Sequence, residues 1–182
     1  MKNKNSNLYA MGLTVLSALG RLIPHLPNVT PLGGSCLFAG SRVAGFWAYL
    51  LPLAVMMATD PFVGGYTKLS PVIYGCFLIN VFLGRRLLQS FTPIRVGATA
   101  FLCSLQFFLL TNFGIWAMAA WRGSEFYTAN LAGLAKCYSM ALPFWGRTLA
   151  GDLLYSAAIF GLFAVLSRAS SPSAVVNAHQ TV

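Results

Sequence analysis

Charged side chains are scarce in this chain. Only 8% of its 182 residues are Asp, Glu, Lys or Arg, and only three of these are acidic, against about a quarter charged in an ordinary soluble domain. A surface wetted on every side is not built from so few charges, so a soluble enzyme and a disordered, solvated segment are both excluded. Cysteine is sparse as well. Cys36, Cys76, Cys103 and Cys137 stand singly in or beside apolar stretches without a CxxC pair, which argues against a disulfide framework and makes each by default a small buried hydrophobe. Histidine is reduced to two, His25 and His179. No Walker A, GxGxxG, HExxH, GxSxG or EF-hand pattern occurs, so any active movement of a solute draws its energy from another chain or from a gradient.

What is present is apolar. Hydrophobic residues make up 57% of the chain and aromatics 14%, with a mean hydropathy of +0.70. Six apolar helices of about 20 residues would use about 120 residues, leaving the rest for loops and ends. The expectation is an all-α membrane protein of six transmembrane helices. It forms one domain over residues 1–167, followed by a mobile cytoplasmic tail at 168–182 rich in Ser, Ala and Pro. The net charge of +9 comes from basic residues scattered singly between apolar runs, a pattern that orients a protein in the bilayer rather than one that binds nucleic acid. Lys2 and Lys4 precede an apolar stretch that runs past Gly20 without an Ala-x-Ala site, so it reads as a retained first helix, not a cleaved signal.

The predicted spans are 8–23, 32–44, 45–62, 71–84, 95–119 and 148–167, and the mixed stretch 121–146 is expected to be a long loop with a helix near 131–144 that lies at the interface or dips into the bundle. Three prolines in Pro24-His25-Leu26-Pro27-Asn28-Val29-Thr30-Pro31 break the first helix, because each removes a backbone donor and disfavours helix before it. Six spans put both termini on one side. That side would carry Lys2, Lys4, Arg42, Arg85, Arg86, Arg95 and Arg168; the other would carry Arg21, Lys68, Arg122, Lys136 and Arg147 with the three acids. The positive-inside rule then favours cytoplasmic termini. On this topology the 24–31 loop with His25, Asn28 and Thr30, the 61–70 loop with Tyr66, the 121–147 region, and the end of the fourth helix with Tyr74 and Cys76 converge on one outward-facing cavity.

Several residues there have two readings. His25, between prolines, is either a loop histidine capping carbonyls or a ligand contact held at low entropic cost. Cys76 is either a packing cysteine or a soft thiolate facing a cavity, and Asn80 stands one turn on along the same face. One Cys and one His are too few for a structural zinc, but they suit a metal already held in a macrocycle that needs one axial donor. Asp60 and Asp152 are acids near membrane depth, where ionisable groups are costly and usually functional; an Arg147–Asp152 pair is the plainer alternative for the second. Asn112 and Trp116 share a face, and Trp116 equally suits an interfacial belt. Ala10, Thr14 and Ala18 form a small-residue stripe on the first helix, for internal packing or for a partner membrane subunit.

Four segments taken together, Arg21-Leu-Ile-Pro-His-Leu-Pro-Asn-Val-Thr-Pro, Tyr74-Gly-Cys-Phe, Thr111-Asn-Phe-Gly-Ile-Trp and Leu142-Pro-Phe-Trp-Gly-Arg-Thr-Leu-Ala-Gly-Asp-Leu-Leu-Tyr, resemble the small bacterial proteins related to the substrate-binding S components of energy-coupling factor transporters, and more narrowly the BtuM-type solitary members that carry cobalamin. The resemblance covers about residues 8–167. It implies a six-helix S-component bundle in the bacterial inner membrane that captures a vitamin from outside and topples to carry it across. It also implies cobalamin as substrate, Cys76 as axial cobalt ligand, and His25 as a corrinoid contact and second candidate metal ligand. Asp60, Tyr74 and Arg147 fall where the cavity should lie. A thiolate on cobalt would labilise the opposite axial ligand, so removal of cyanide from cyanocobalamin is a further expectation. Docking of an energy-coupling module would use Ala10, Thr14 and Ala18, although Thr14 interrupts the Ala-x-x-x-Ala face of S components that dock. Two other readings fit the residues: a transporter of the same build for another vitamin or a nucleobase, in which Cys76 only packs, and a membrane enzyme or assembly subunit that transports nothing.

Overall fold

The shortest of the six α-helices lies at the centre. In the computed structural model, α2 (Leu32–Arg42) is surrounded by α1 (Lys4–Leu19, continued by a 3-10 turn at Gly20–Leu22), α3 (Trp47–Val63), α4 (Ser70–Leu87), α5 (Pro93–Trp121) and α6 (Leu131–Ala169). The structure describes residues 4–24, 26–90, 92–124 and 126–169, without the side chains of residues 4, 5 and 169. His25, Glu125 and the tail from residue 170 therefore lie outside the described residues.

Every residue of α2 from Leu32 to Ser41 is buried. Small residues make this possible. A Cβ on Gly40 would collide with the Val81 carbonyl of α4, and one on Gly84 of α4 with the Leu37 carbonyl of α2, so the two backbones cross in direct contact. On the other side of α2, Phe38 packs edge-on against Phe160 and Phe163 of α6, each with ring centroids 5.2 Å away. Such aromatic pairs add to what area burial contributes. The stripe on α1 serves the same packing: Ala10, Thr14 and Ala18 are each 0% exposed, and Thr14 Oγ1 donates to the Ala10 carbonyl at 2.8 Å. The expected docking face is thus already occupied, because α1 turns it onto α2 and α3.

The expected break between an interfacial helix and the last span does not occur. α6 runs unbroken for 39 residues with Pro143 inside it, about 58 Å of helix. Contacts on both sides of the proline grip α5: Tyr138 Oη donates to the Leu109 carbonyl at 2.8 Å, and Phe108 takes Tyr138 on one side and a stacked Trp145 at 5.2 Å on the other. Tertiary packing offsets the lost backbone donor. α5 and α6 are both long and apolar enough to cross a membrane.

Large apolar side chains cover much of the outside as well as the core, and several polar ones are buried among the helices. Ile94, Phe113 and Leu154 are exposed, whereas Thr14, Asn80, Ser104, Asp152 and Ser156 are buried.

Candidate functional site

The helices sort the sequence-predicted residues into three places. The first is a groove between α4 and α5. Cys76, though only 1% exposed, lines it together with Gly75, Ile79, Leu110, Phe113 and Gly114, around a volume of about 430 Å³. A Cβ at Gly75 would meet nothing within 4 Å, so the space beside the cysteine is open. Towards the loops the groove shares Ala117 and Met118 with a second pocket of about 880 Å³, whose other walls are Thr67, Lys68, Leu69, Trp121 and Arg122. Lys68 and Arg122 give that end a positive character, while the Cys76 end is almost wholly apolar.

Beneath Cys76, Asn80 is buried and its Oδ1 accepts from Gln106 Nε2 of α5 at 2.8 Å; the same nitrogen donates to the Cys76 carbonyl at 3.1 Å. Gln106 Oε1 is buried without a hydrogen-bond partner. This polar bridge holds α4 and α5 in register just below the groove. Sequence reasoning missed Gln106; a carboxamide inside the apolar run 101–110 is the signal that marks it.

The second place lies at the ends of α1, α3 and α4. Asp60 has both carboxylate oxygens engaged: Oδ1 by Arg21 Nη1 at 2.8 Å and Oδ2 by the Tyr74 hydroxyl. Arg21 also donates to Thr59 Oγ1 at 3.2 Å. Locally, the α3 terminus fixes Asp60, because Gly64 at φ 137° turns the chain and the Gly64 and Gly65 amides both donate to the Asp60 carbonyl; a positive φ of this kind favours glycine. Asp60 and Tyr74 therefore meet, as the common cavity required, but they form a clasp with Arg21 rather than free contacts for a ligand. Tyr74 and Cys76, two residues apart on α4, point to different sides of it. Arg21 had been read only as an orienting charge, and no spacing in the sequence links it to Asp60.

The third place is the α5–α6 side. Asn112 Nδ2 donates to the Phe108 carbonyl of its own helix at 2.8 Å, its carbonyl accepts from Cys137 Sγ of α6, and Trp116 Nε1 donates to the Thr128 carbonyl at 3.0 Å. Both do share a face, but that face looks at α6, away from the groove. Arg147 is exposed on α6 and makes no ion pair with Asp152; five residues separate them, which on a continuous helix turns them about 140° apart. In the loop regions, Tyr66 folds back to donate to the Met57 carbonyl at 2.6 Å. Asn28 is exposed in a turn with φ 67°. Thr30 lies beside Gly151 of α6, its Oγ1 buried without a partner. His25 lies outside the described residues.

These features define a helical protein with two helices able to cross a membrane and a lateral groove floored by a cysteine. The chain belongs to a family of unknown function (DUF6580), whose model matches residues 1–174. No curated protein and no solved structure matches the chain.

Proposed function

We propose that the protein is a multi-pass component of the bacterial cell membrane that takes up cobalamin, with Cys76 as the axial ligand to the cobalt of its substrate. In this reading all six helices form an S-component-like bundle within the bilayer, and both termini are cytoplasmic. The large apolar side chains left exposed around the bundle support a lipid solvent. α2, too short at about 16 Å to span the hydrocarbon alone, is shielded because every side around it is protein.

One observation carries the substrate: the Cys76 groove, apolar at its floor and continuous with a wider, cationic pocket. A corrin has apolar faces and an amide-rich rim, and cobalamin adds a phosphodiester. The groove suits the first, and the walls with Thr67, Lys68 and Arg122 suit the others. The thiol loses its proton on ligation, because the metal binds only the thiolate. With cyanocobalamin, the Co–S bond forms on one axial face as the dimethylbenzimidazole nitrogen held there leaves with its own electron pair, and the Co–C bond opposite is labilised. Cyanide leaves with the bonding pair and water fills its place, so the step needs no reductant. The clasp of Arg21, Asp60 and Tyr74 holds α1, α3 and α4 together outside this groove.

The test uses the purified full chain. After gel filtration from cyanocobalamin or hydroxocobalamin, the wild type retains a coloured corrinoid with a shifted visible spectrum. Cys76→Ala loses the shift and binds at least about tenfold more weakly, the scale of one lost coordination bond. The gene rescues growth of a cobalamin auxotroph that lacks its own importer. A protein that retains no corrinoid, or a Cys76→Ala variant with the wild-type spectrum, contradicts the assignment. Binding of an anionic vitamin instead, through Lys68 and Arg122, would select the reading in which Cys76 only packs.

A further inference from the structure

Among the described residues the more deeply buried acid, Asp152, stands in neither the groove nor the clasp. It is 5% exposed at the junction of α2, α5 and α6. Its carboxylate lies directly over the Gly33 backbone of α2, in the space that a Cβ there would fill. A glycine at 33 is what admits the carboxylate at all.

The surroundings are polar but uncharged. Ser104 of α5 comes up to the carboxylate, yet its Oγ makes no well-formed hydrogen bond, and neither does the Oγ of Ser156 one turn further along α6; both serines are essentially unexposed. From α2 the titratable neighbour is Cys36, and from α5 it is Cys103. From α1 the described residues bring no charged group to it, since Arg21 is committed to Asp60. On α6 itself Arg147 is turned away. The loop before α2 brings Thr30 against Gly151, and His25 of that loop lies outside the described residues.

A carboxylate in such a place must find a cation or carry a proton, because an ionised group buried without a partner is strongly disfavoured. A protonated carboxyl also offers the donor that an unpartnered serine oxygen lacks. For a metal cation the visible oxygens are too few: one carboxylate and two hydroxyls, where hard cations take six or more.

We propose that Asp152 is a proton-binding site, loaded while α2 is seated on α6 and emptied when the two helices part and water reaches the carboxylate. The proton arrives from water and returns to it, so a conformational cycle that opens this seam on one side of the membrane and then on the other is driven by a proton gradient. This site is independent of Cys76 and stands or falls separately from the corrinoid assignment.

Dicyclohexylcarbodiimide, which attacks protonated carboxyls in apolar surroundings, is the probe. In the purified full chain it labels Asp152 and spares the ion-paired Asp60. Once the site empties, labelling falls about tenfold for each further pH unit. Sodium at fixed pH does not protect, and His25→Gln leaves the response intact. In thermal melts, wild type and Asp152→Asn respond differently to pH, because the carboxyl can bind and release a proton and the amide cannot. Absence of adduct at every pH, protection by sodium, loss of the response in His25→Gln, or parallel melting of wild type and Asp152→Asn overturns the proposal. If Asp152→Asn does not fold, wild-type labelling decides alone.

Discussion

The two sides of α4 are built to opposite rules. Where α4 meets α2, the backbones touch: Gly40 and Gly84 face carbonyls so closely that neither tolerates a Cβ. Where α4 meets α5, around Cys76, a glycine at 75 faces open space and a volume of about 430 Å³ remains. A helix that spent its small residues only on packing would close both sides. The retained void on one side, floored by a cysteine, separates a seam that holds the fold from a groove with room beside Cys76.

The contrast can be broken at its strongest point first. Gly40→Val drives a branched side chain into the Val81 carbonyl and costs about 3 kcal/mol or more, read as loss of a cooperative thermal transition. Gly75→Ala at the groove changes stability by about 0.5 kcal/mol or less. Next comes the clasp. Arg21→Ala leaves Asp60 buried without its cation and costs about 3 kcal/mol; adding Asp60→Asn recovers most of the melting temperature, since a neutral amide no longer needs that partner. An unchanged melt in the single variant would mean that the clasp contributes nothing.

Another substitution sharpens the comparison without disturbing the fold. Gly75→Leu fills the groove, so corrinoid retention falls by at least about tenfold while the melting temperature stays within a few degrees of wild type. A smaller loss than at the seam or the clasp belongs to the polar bridge: Asn80→Ala removes one interhelical hydrogen bond and costs about 1 kcal/mol, seen as a modest drop in melting temperature.

Most helices were legible from the sequence because proline and glycine punctuate them. Pro24, Pro27 and Pro31 do end the first helix, and α2, α3, α4 and α5 begin within a few residues of the expected positions. The mixed composition of 121–146 pointed to a loop, but composition is local, whereas Phe108 of α5 grips α6 on both sides of Pro143 and keeps the helix continuous. The small-residue stripe on α1 was legible as a close-packing face, but periodicity says nothing about whether the neighbour is internal or external. The site was legible one helix at a time. Cys76 with Asn80, and Asn112 with Trp116, do share faces, yet which neighbour each face meets depends on the rotation of α4 and α5, and no single-chain spacing encodes that. Arg21 with Asp60, and Gly33 with Asp152, are likewise pairings between distant segments.

X-ray absorption at the cobalt edge, on the purified protein loaded with cobalamin, addresses the Cys76 groove most directly. A sulfur scatterer in the first shell of cobalt in the wild type, absent in Cys76→Ala, is the predicted result. A shell of nitrogen and oxygen alone in the wild type would contradict it.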